Sequence, residues 1–268
     1  MSEVVLITGI SSGFGKHIAS FLAEKGFSVY GTCRKKCEHH AKVKVFELDV
    51  NDKEAINRAV QDILIAEGKI DILINNAGMH VGGPSEVVPD DDIHLIMQTN
   101  FTGFVHTIKA VLPAMKGKKA GLILNFSSIG GLMGLPFQGY YSASKFAVEG
   151  FSSALRMELR PFNIKVVVIN PGDFHTNNTL NRRNYFVSGL DEDYEQQFRD
   201  SLRIIESDER GGWDPQTMAQ KIYKIITSKN RSYRYVIASF EQKLAVLLKR
   251  ILPDVLFDAI LRSHYGIK

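Results

Sequence analysis

The sequence predicts one doubly wound α/β domain built on a parallel sheet. Short β-branched runs, several of them apolar on both faces, alternate along the chain with longer segments of helical spacing. Repeated strand–helix–strand units imply right-handed crossovers, which place helices on both sides of the sheet. We expect seven mostly parallel strands, at residues 4–8, 27–32, 43–48, 70–75, 121–127, 164–170 and 234–238. The helices are expected at residues 13–25, 53–67, 91–117, 141–160 and 215–227.

Residues 1–240 are expected to form a single domain, because neither a linker rich in Pro, Gly or Ser nor a repeat interrupts them. Two segments depart from the alternation. Residues 173–213 are polar and are predicted to be a helical insertion, and residues 241–268 are predicted to be an amphipathic helical tail of the same domain. Asp214 and Pro215 supply a capping residue and a proline at the first helical position, so a helix begins there.

Composition and charge exclude several classes of protein. The balance of 33 basic and 29 acidic residues gives a net charge of +4, which is too weak and too scattered for nucleic-acid binding. Cys33 and Cys37 do not suggest a disulfide framework, and with His39 and His40 they lack the paired spacing of structural zinc, so no metal is expected. Residues 1–9 resemble no targeting peptide, and no stretch suits a transmembrane helix. We expect a cytoplasmic protein.

A glycine-rich turn, TGISSGFG, follows the first strand and opens the first helix. Glycine lets the backbone approach a pyrophosphate, and the helix N-terminus offers unpaired N–H groups to the phosphate charge. The spacing differs from the usual GxGxxG fingerprint, and a plain strand-to-helix connection is the alternative. The candidate cofactor-binding residues of this turn are Gly9, Ser11, Ser12, Gly13, Phe14 and Gly15.

The end of the second strand favours NADP(H) over NAD(H). Enzymes that use NAD place an acidic residue there, where it binds the ribose 2′-hydroxyl. Here Cys33 is followed by Arg34, Lys35 and Lys36, and a guanidinium pairs well with a 2′-phosphate. A solvated basic turn is the alternative interpretation.

Tyr141 and Lys145 form a candidate proton-transfer pair. They are four residues apart in a predicted helix and therefore share one face. A phenol has a pKa of about 10, and a neighbouring ammonium lowers it. Such a pair is suited to act as a general acid in ketone reduction and as a general base in alcohol oxidation. Taken alone, the same pair is also common on solvated helix surfaces.

Other polar residues recur where an open α/β sheet forms its ligand crevice, at the carboxyl ends of the strands. Ser128 follows the fifth predicted strand, the NNAG run at 75–78 ends the fourth, and Pro171 and Gly172 end the sixth. Asn100 lies inside a predicted helix, where asparagine is unfavourable, and so suggests a functional role.

Together these motifs resemble the short-chain dehydrogenase/reductase family. The resemblance implies a Rossmann fold over about residues 3–240, NADP(H) as cofactor, and interconversion of a carbonyl and an alcohol. It also implies a homodimer or homotetramer, with helices 91–117 and 141–160 at the interface. The matching residues, in the family's order, are Gly9, Gly13, Gly15, Asp49, Asn75, Asn76, Ala77, Gly78, Asn100, Ser128, Tyr141, Lys145, Pro171, Gly172 and Thr176.

The resemblance implies a role for each of these residues. Tyr141 would protonate the carbonyl oxygen, which Ser128 would hold. Lys145 would bind the nicotinamide ribose and lower the pKa of Tyr141, and Asn100 would hold a water that connects Lys145 to solvent. Contacts around the cofactor are implied for Asp49, Val50, Asn76, Ala77, Gly78, Asn170, Pro171, Gly172 and Thr176.

The insertion and the tail bear on the substrate. Aromatic residues in 173–213 suggest a lid over the site, with a solvated helix pair as the alternative; they are Tyr185, Phe186, Tyr194 and Phe198. In the tail, one apolar helical face runs to Pro253 and a second follows it. Such a basic amphipathic segment can lie on a membrane, cover a hydrophobic substrate, or dock on the sheet or a second subunit.

The tail and the short connection after Arg34 are similar to family members that act on steroids, retinoids, acyl-dihydroxyacetone phosphate or 3-ketosphinganine. We therefore expect a hydrophobic ketone as substrate, such as a 3-ketosphinganine or a ketosteroid, and no nucleic-acid partner. The alternatives are a general small-molecule carbonyl reductase, a sugar-nucleotide epimerase or dehydratase, and a redox sensor that binds NADP without turnover.

Overall fold

The computed structural model describes residues 2–35, 37, 41–176, 181–186 and 192–267. The strands are β1 (Val4–Thr8), β2 (Ser28–Cys33), β3 (Val43–Glu47), β4 (Ile72–Asn75), β5 (Val81–Gly82), β6 (Gly121–Phe126), β7 (Ile164–Pro171), β8 (Arg183–Asn184) and β9 (Arg234–Ile237). Seven of them form one parallel sheet in the order β3-β2-β1-β4-β6-β7-β9, and β5 pairs with β8 in a separate short sheet. The predicted doubly wound, seven-stranded sheet is confirmed.

The helices are α1 (Gly13–Glu24), α2 (Lys53–Glu67), α3 (Asp90–Met97), α4 (Gly103–Lys118), α5 (Gly139–Glu158), α6 (Glu192–Arg210), α7 (Pro215–Thr227), α8 (Phe240–Ile251) and α9 (Asp254–Tyr265). One face of the main sheet packs on α1 and α7, and the other packs on α2, α4 and α5. Both faces of the sheet are therefore buried beneath helices, which explains why the central strands are continuous apolar runs. Asp214 caps α7 as predicted, because its side chain accepts a hydrogen bond from the Gln216 N–H.

The helix predicted over residues 91–117 is interrupted. A π-helical turn at Gln98–Thr102 separates α3 from α4. The wider turn contains Asn100, whose buried side chain hydrogen-bonds the backbone of Met79 beyond the end of β4. Such turns are often found at functional sites. The hydrophobic period does not reveal the turn, because α3 and α4 each keep the ordinary helical repeat.

The insertion at 173–213 leaves the sheet and returns to the same place. The Trp213 N–H donates to the Asp173 carbonyl at 3.2 Å, and the His175 N–H donates to the Trp213 carbonyl at 3.0 Å. Within the insertion, residues 177–180 and 187–191 lie outside the described residues. The buried ring of Phe198 packs on Phe137, with the centroids 5.1 Å apart.

The tail forms two helices, α8 and α9, which are separated at Leu252 and Pro253. A capping box of Ser239 and Gln242 begins α8. Val246 and Phe257 pack on Met133, which follows β6, so the tail covers the carboxyl end of the sheet. No helix in the described ranges is long and apolar enough to cross a membrane.

Candidate active site

One large cavity, of about 1280 Å³, lies at the carboxyl ends of the parallel strands. Its wall is formed by the glycine-rich turn, by the residues that follow β2, β3, β4, β6 and β7, and by α6 and the tail. All of the predicted site residues line it except Gly15, Asn100 and Asn170. The topology explains this convergence, because parallel strands bring their carboxyl ends to one edge.

At two positions of the turn the backbone passes so close to neighbouring atoms that only glycine fits. Gly9 has a φ of +72°, and a Cβ there would lie 2.7 Å from the Cα of Ala77. Gly15 lies behind the turn, and a Cβ there would lie 2.2 Å from the Gly9 carbonyl oxygen. Gly15 therefore packs α1 against the turn and does not line the cavity, in contrast to its predicted cofactor contact. The turn and the N-terminus of α1 fit a pyrophosphate, and the Ser12 hydroxyl makes no capping bond to the helix.

Asn76 fastens this turn to the end of β4. Its side-chain amide donates to the carbonyl of Thr8 at 3.0 Å and to that of Gly9 at 2.8 Å. The Thr8 hydroxyl in turn accepts the N–H groups of Asn76 and Ala77, each at 3.0 Å. Both amide protons of Asn76 are thus used inside the protein, so its side chain shapes the cavity wall.

The exposed Arg34 follows β2 and lines the cavity. Cys33 beside it is buried, and burial raises the pKa of its thiol to about 12, which makes it a poor nucleophile. In the part of the chain that the structure describes, no group of three His, Cys, Asp or Glu residues is arranged to hold a metal. His39 and His40 lie outside that part.

Tyr141 and Lys145 lie in the first two turns of α5, on the face that borders the cavity. The Ser128 hydroxyl is hydrogen-bonded to the Tyr141 phenol. Lys145 is buried, and its Nζ donates to the Phe126 carbonyl at 3.1 Å and lies 5.7 Å from the centroid of the Tyr141 ring. The structure therefore brings Ser128 and Tyr141, which were predicted to hold and protonate the carbonyl oxygen, together with Lys145, which was predicted to bind the nicotinamide ribose.

The lowered pKa predicted for Tyr141 is not seen in this structure, and the effect of Lys145 on that pKa stays a prediction. Burial raises the pKa of Tyr141, the hydrogen bond from Ser128 opposes that shift, and the charge of Glu209 adds to it. Burial also lowers the pKa of Lys145 to about 8, against the charge of Glu149. Desolvation is the largest cause of both shifts, because both side chains are buried and burial disfavours the charged form of each. The raised pKa keeps the Tyr141 phenol protonated at neutral pH, which is the form needed for ketone reduction.

Asn100 and Asn170 support the site from behind. The Asn100 amide donates to the Met79 carbonyl at 3.0 Å and to the Ser144 hydroxyl at 2.9 Å. Any water held by Asn100 has to use other atoms of that residue, and its water-binding role stays a prediction. Asn170 donates to the Ser128 carbonyl at 2.8 Å and to Glu149 at 2.6 Å. Its predicted position on the cavity wall is therefore wrong, because β7 turns it inward.

Comparison with known proteins gives the family. The family model described as short chain dehydrogenase matches residues 3–185. The chain belongs to this family. It is 46% identical to the 3-ketodihydrosphingosine reductase of Bacteroides thetaiotaomicron over 266 residues, which are 99% of each chain. This short-chain dehydrogenase is thus an oxidoreductase that acts on carbonyl or alcohol groups.

Solved structures of short-chain dehydrogenases share the fold. A short-chain dehydrogenase from Streptomyces avermitilis is 28% identical, with a TM-score of 0.81, and the match covers 100% of this chain and 97% of that one. The structure of ElxO with NADP bound is 25% identical, with a TM-score of 0.72, and covers 89% and 97% of the two chains. The cavity of this short-chain dehydrogenase therefore belongs to a fold that binds NAD(P)H.

His80 lies shortly after the NNAG run and was not among the predicted site residues. Its imidazole is buried and stacks on the Tyr141 ring, with the centroids 3.9 Å apart and the planes 20° apart. Burial lowers the pKa of His80 well below its usual value, and the positive charge of Arg182 lowers it further, while a hydrogen bond with Gln138 opposes both. A neutral, flat ring thus fixes the plane of the Tyr141 phenol, and no sequence pattern reports such a contact.

We expect His80→Ala to lower kcat by roughly 10- to 100-fold, because a loosened phenol loses its alignment with the substrate oxygen. The KM for ketone and the Kd for NADPH should stay near their original values. His80→Phe should restore most of kcat, because a planar ring again covers the phenol. His94→Ala, at an exposed histidine of α3, is the matched control. Equal losses in His80→Ala and His80→Phe would show that stacking is not the role of this residue.

Carboxylates on the cavity wall were also missed, and three of them are Asp173, Asp208 and Glu209. Glu209 pairs with the buried guanidinium of Arg182, and Asp208 pairs with His264 at 3.1 Å. Asp173 accepts a hydrogen bond from the Gln242 amide and makes no ion pair with any described residue. Burial, together with the charges of Glu209 and Asp208, raises the pKa of Asp173 to about 6. Of these three carboxylates, Asp173 is therefore the one without a cationic partner among the described residues.

The tail supplies the apolar part of the cavity wall, through Leu244, Leu248, Ile260 and Leu261. The aromatic residues predicted to form a lid do not line the cavity. Phe198 packs on Phe137 and Phe186, and the hydroxyl of Tyr185 donates to Asp92. The described part of the insertion contributes other residues instead, among them Asn181, Arg183 and the last helical turns of α6 near Ile205 and Glu209.

Proposed function

We propose that this short-chain dehydrogenase is an NADPH-dependent reductase of a long-chain ketone that carries an amino group beside the carbonyl, as in 3-ketodihydrosphingosine. The observation that carries the proposal is the cavity wall, which combines half-buried and buried carboxylates near Tyr141 with an apolar surface from the tail. The relative from Bacteroides thetaiotaomicron, which matches along the whole chain, bears the name of such a reductase.

The carboxylates fit an ammonium group. A charge that is withdrawn from water is costly unless it is paired, and the half-buried Asp173 side chain has only an amide partner among the described residues. Asp173 and Glu209 are close enough to Tyr141 for their charges to raise its pKa. A positively charged amine on the carbon next to the ketone would lie between the phenol and these carboxylates. Its charge would compensate the buried negative charge that the protein leaves unpaired.

The apolar wall fits a long hydrocarbon chain. Leu244, Leu248 and Leu261 of the tail line the same cavity as Tyr141 and give it an apolar part. Burial of each methylene group contributes about 0.8 kcal/mol to binding, so a long chain gains affinity that a short ketone lacks. A general small-molecule carbonyl reductase remains the second candidate, and it would show no such dependence on chain length or on the amine.

Each catalytic side chain has a definite task in this proposal. The Ser128 hydroxyl orients the carbonyl oxygen beside Tyr141, and Tyr141 donates the proton that the oxygen needs as it becomes an alkoxide. Lys145, fixed by the Phe126 carbonyl, holds the ribose end of the nicotinamide. When bound, NADPH supplies the hydride that adds to the carbonyl carbon. The tail and α6 exclude water from the reacting atoms.

The preference for NADPH is proposed from Arg34, and we expect Arg34→Ala to raise the KM for NADPH by roughly 10- to 100-fold. A charge-assisted hydrogen bond to the 2′-phosphate would be lost, whereas NADH has no such phosphate. The KM for NADH should therefore stay nearly constant. Arg58→Ala, at an exposed arginine of α2, is the matched control. An equal loss with both cofactors would contradict the proposed contact.

The substrate class is tested by following NADPH oxidation with 3-ketodihydrosphingosine, its N-acetylated form, a ketosteroid and a short diketone. We expect the free amine to give the highest kcat/KM and N-acetylation to lower it about tenfold or more, since the amide carries no charge. Comparable kcat/KM values for all four ketones would favour the general carbonyl reductase. Activity confined to the ketosteroid would refute the amine proposal.

A further inference from the structure

The tail exposes a large apolar surface to solvent. We call its exposed apolar side chains the rim patch: Phe240, Leu244, Leu247, Ile251, Val255, Leu256 and Ile260. Of the thirteen large hydrophobic side chains that are exposed in the described part of the chain, these seven fall within residues 240–260. Scattered exposed apolar residues need no explanation, but a concentrated patch marks an interaction surface.

The patch is not a by-product of packing. On α8, Phe240, Leu244, Leu247 and Ile251 follow one helical face, and Phe240 is 76% exposed. The side of α8 that packs on the rest of the protein is a different one, around Val246. The helix is therefore apolar on two sides, and only the inner one contributes to folding of the single chain.

Part of the patch borders the cavity, and we call this border the mouth of the cavity. Phe240, Leu244 and Ile260 are each exposed to solvent and also line the cavity wall. They come from both helices of the tail, so the opening lies between exposed apolar side chains of α8 and α9. Whatever covers the patch therefore also controls entry to the site.

The charged side chains of α8 and the lengths of α8 and α9 indicate how the tail would bind a lipid surface. Lys243 and Arg250, both exposed, follow Phe240 and Leu247 by three positions and so flank the apolar face of α8. Cationic side chains beside an apolar helical face are typical of helices that lie in the plane of an interface. α8 and α9 have 12 residues each, whereas a helix needs about 20 to span a bilayer.

We propose that the rim patch docks this protein on the surface of a phospholipid bilayer, with the mouth of the cavity open to the lipid. The argument for a bilayer rests on the proposed function, in which the substrate is a lipid-like ketone. A second copy of the chain seated on Leu244 and Ile260 would close the mouth. A fluid lipid surface covers the same side chains and also holds the substrate.

The test is co-sedimentation of the full chain with vesicles made of equal parts phosphatidylcholine and phosphatidylglycerol. Leu247→Glu combined with Ile251→Glu removes the apolar character of α8 without altering the cavity wall, since neither residue lines it. We expect the vesicle-bound fraction to fall about tenfold or more, because two carboxylates are introduced into the docked face. Ile65→Glu, at an exposed isoleucine of α2, is the control and should bind as the original protein does.

Activity separates this proposal from the proposed function. Reduction of a water-soluble short ketone should be unchanged in the double variant, whereas reduction of a vesicle-borne ketone should fall with binding. Vesicle binding without any amino-ketone reduction would refute the substrate and leave the docking intact. No binding by the original protein, or loss of a dimer in the double variant with unchanged binding, would overturn the docking. If the double variant does not fold, Ile251→Glu alone is measured in the same way.

Discussion

Tyr141→Phe should lower kcat for ketone reduction by about 10³-fold or more, while the Kd for NADPH changes little. The variant keeps the ring that stacks on His80 and removes only the hydroxyl, which is the proposed donor to the carbonyl oxygen. Proton donation in the transition state is lost, and the Ser128 hydroxyl can then only orient the oxygen. Stopped-flow measurement of NADPH oxidation gives kcat, and quenching of protein fluorescence gives the Kd.

Tyr140 provides the matched control for this substitution. It precedes Tyr141 in α5, and its hydroxyl donates to the Ser85 carbonyl at 3.0 Å. Tyr140→Phe should therefore reduce ketones at nearly the original rate. The assignment of Tyr141 as proton donor is refuted if Tyr141→Phe retains comparable turnover, or if the two variants lose activity equally.

Asp173→Asn should act in opposite directions on activity and stability. Its kcat/KM for the amino ketone should fall by roughly 30-fold or more, because truncating one partner of a buried charge pair costs about 2–5 kcal/mol. The kcat/KM for a ketone without an amine should change little. The free energy of unfolding at pH 8 should rise by about 2 kcal/mol, because the variant no longer buries an unpaired carboxylate.

The pH dependence follows from the raised pKa of Asp173, which is about 6. The folded state favours the protonated carboxyl, so this contribution to stability is complete below the unfolded pKa of about 4 and is lost as the pH rises through about 6. The stability difference between Asp173→Asn and the original protein should therefore shrink below pH 5. The kcat/KM for the amino ketone should rise through about pH 6 in the original protein and lack this step in the variant.

Asp62→Asn, at an exposed carboxylate of α2, is the control for both measurements. It should leave the kcat/KM for the amino ketone nearly unchanged. It should also change the free energy of unfolding by no more than about 0.5 kcal/mol. If Asp173→Asn lowers the rates with charged and uncharged ketones equally, the residue shapes the cavity and does not recognise an amine.

Much of the site was readable from residue order. The glycine turn, the NNAG run, Ser128, Tyr141 and Lys145 were all placed at strand ends or on one helix face, and the fold brings them to one cavity. Local rules suffice here, because each motif directly follows or begins a regular element. The exceptions, Gly15, Asn100 and Asn170, are each neighbours in sequence of residues that line the cavity, but they are packed behind its wall.

The sequence by itself determined the doubly wound sheet, the cofactor end of the cavity and the identity of the proton donor, because these depend on short-range periodicity and on motifs of fixed spacing. Only the tertiary structure decided the direction of the Tyr141 pKa and the stacking of His80. It also brought Asp173 and Glu209 together and placed the tail around the mouth of the cavity. These properties depend on desolvation and on contacts between distant segments, and neither is encoded in the spacing of residues along the chain. The proton-transfer pair was thus evident in the sequence, whereas its electrostatic environment emerged only from packing.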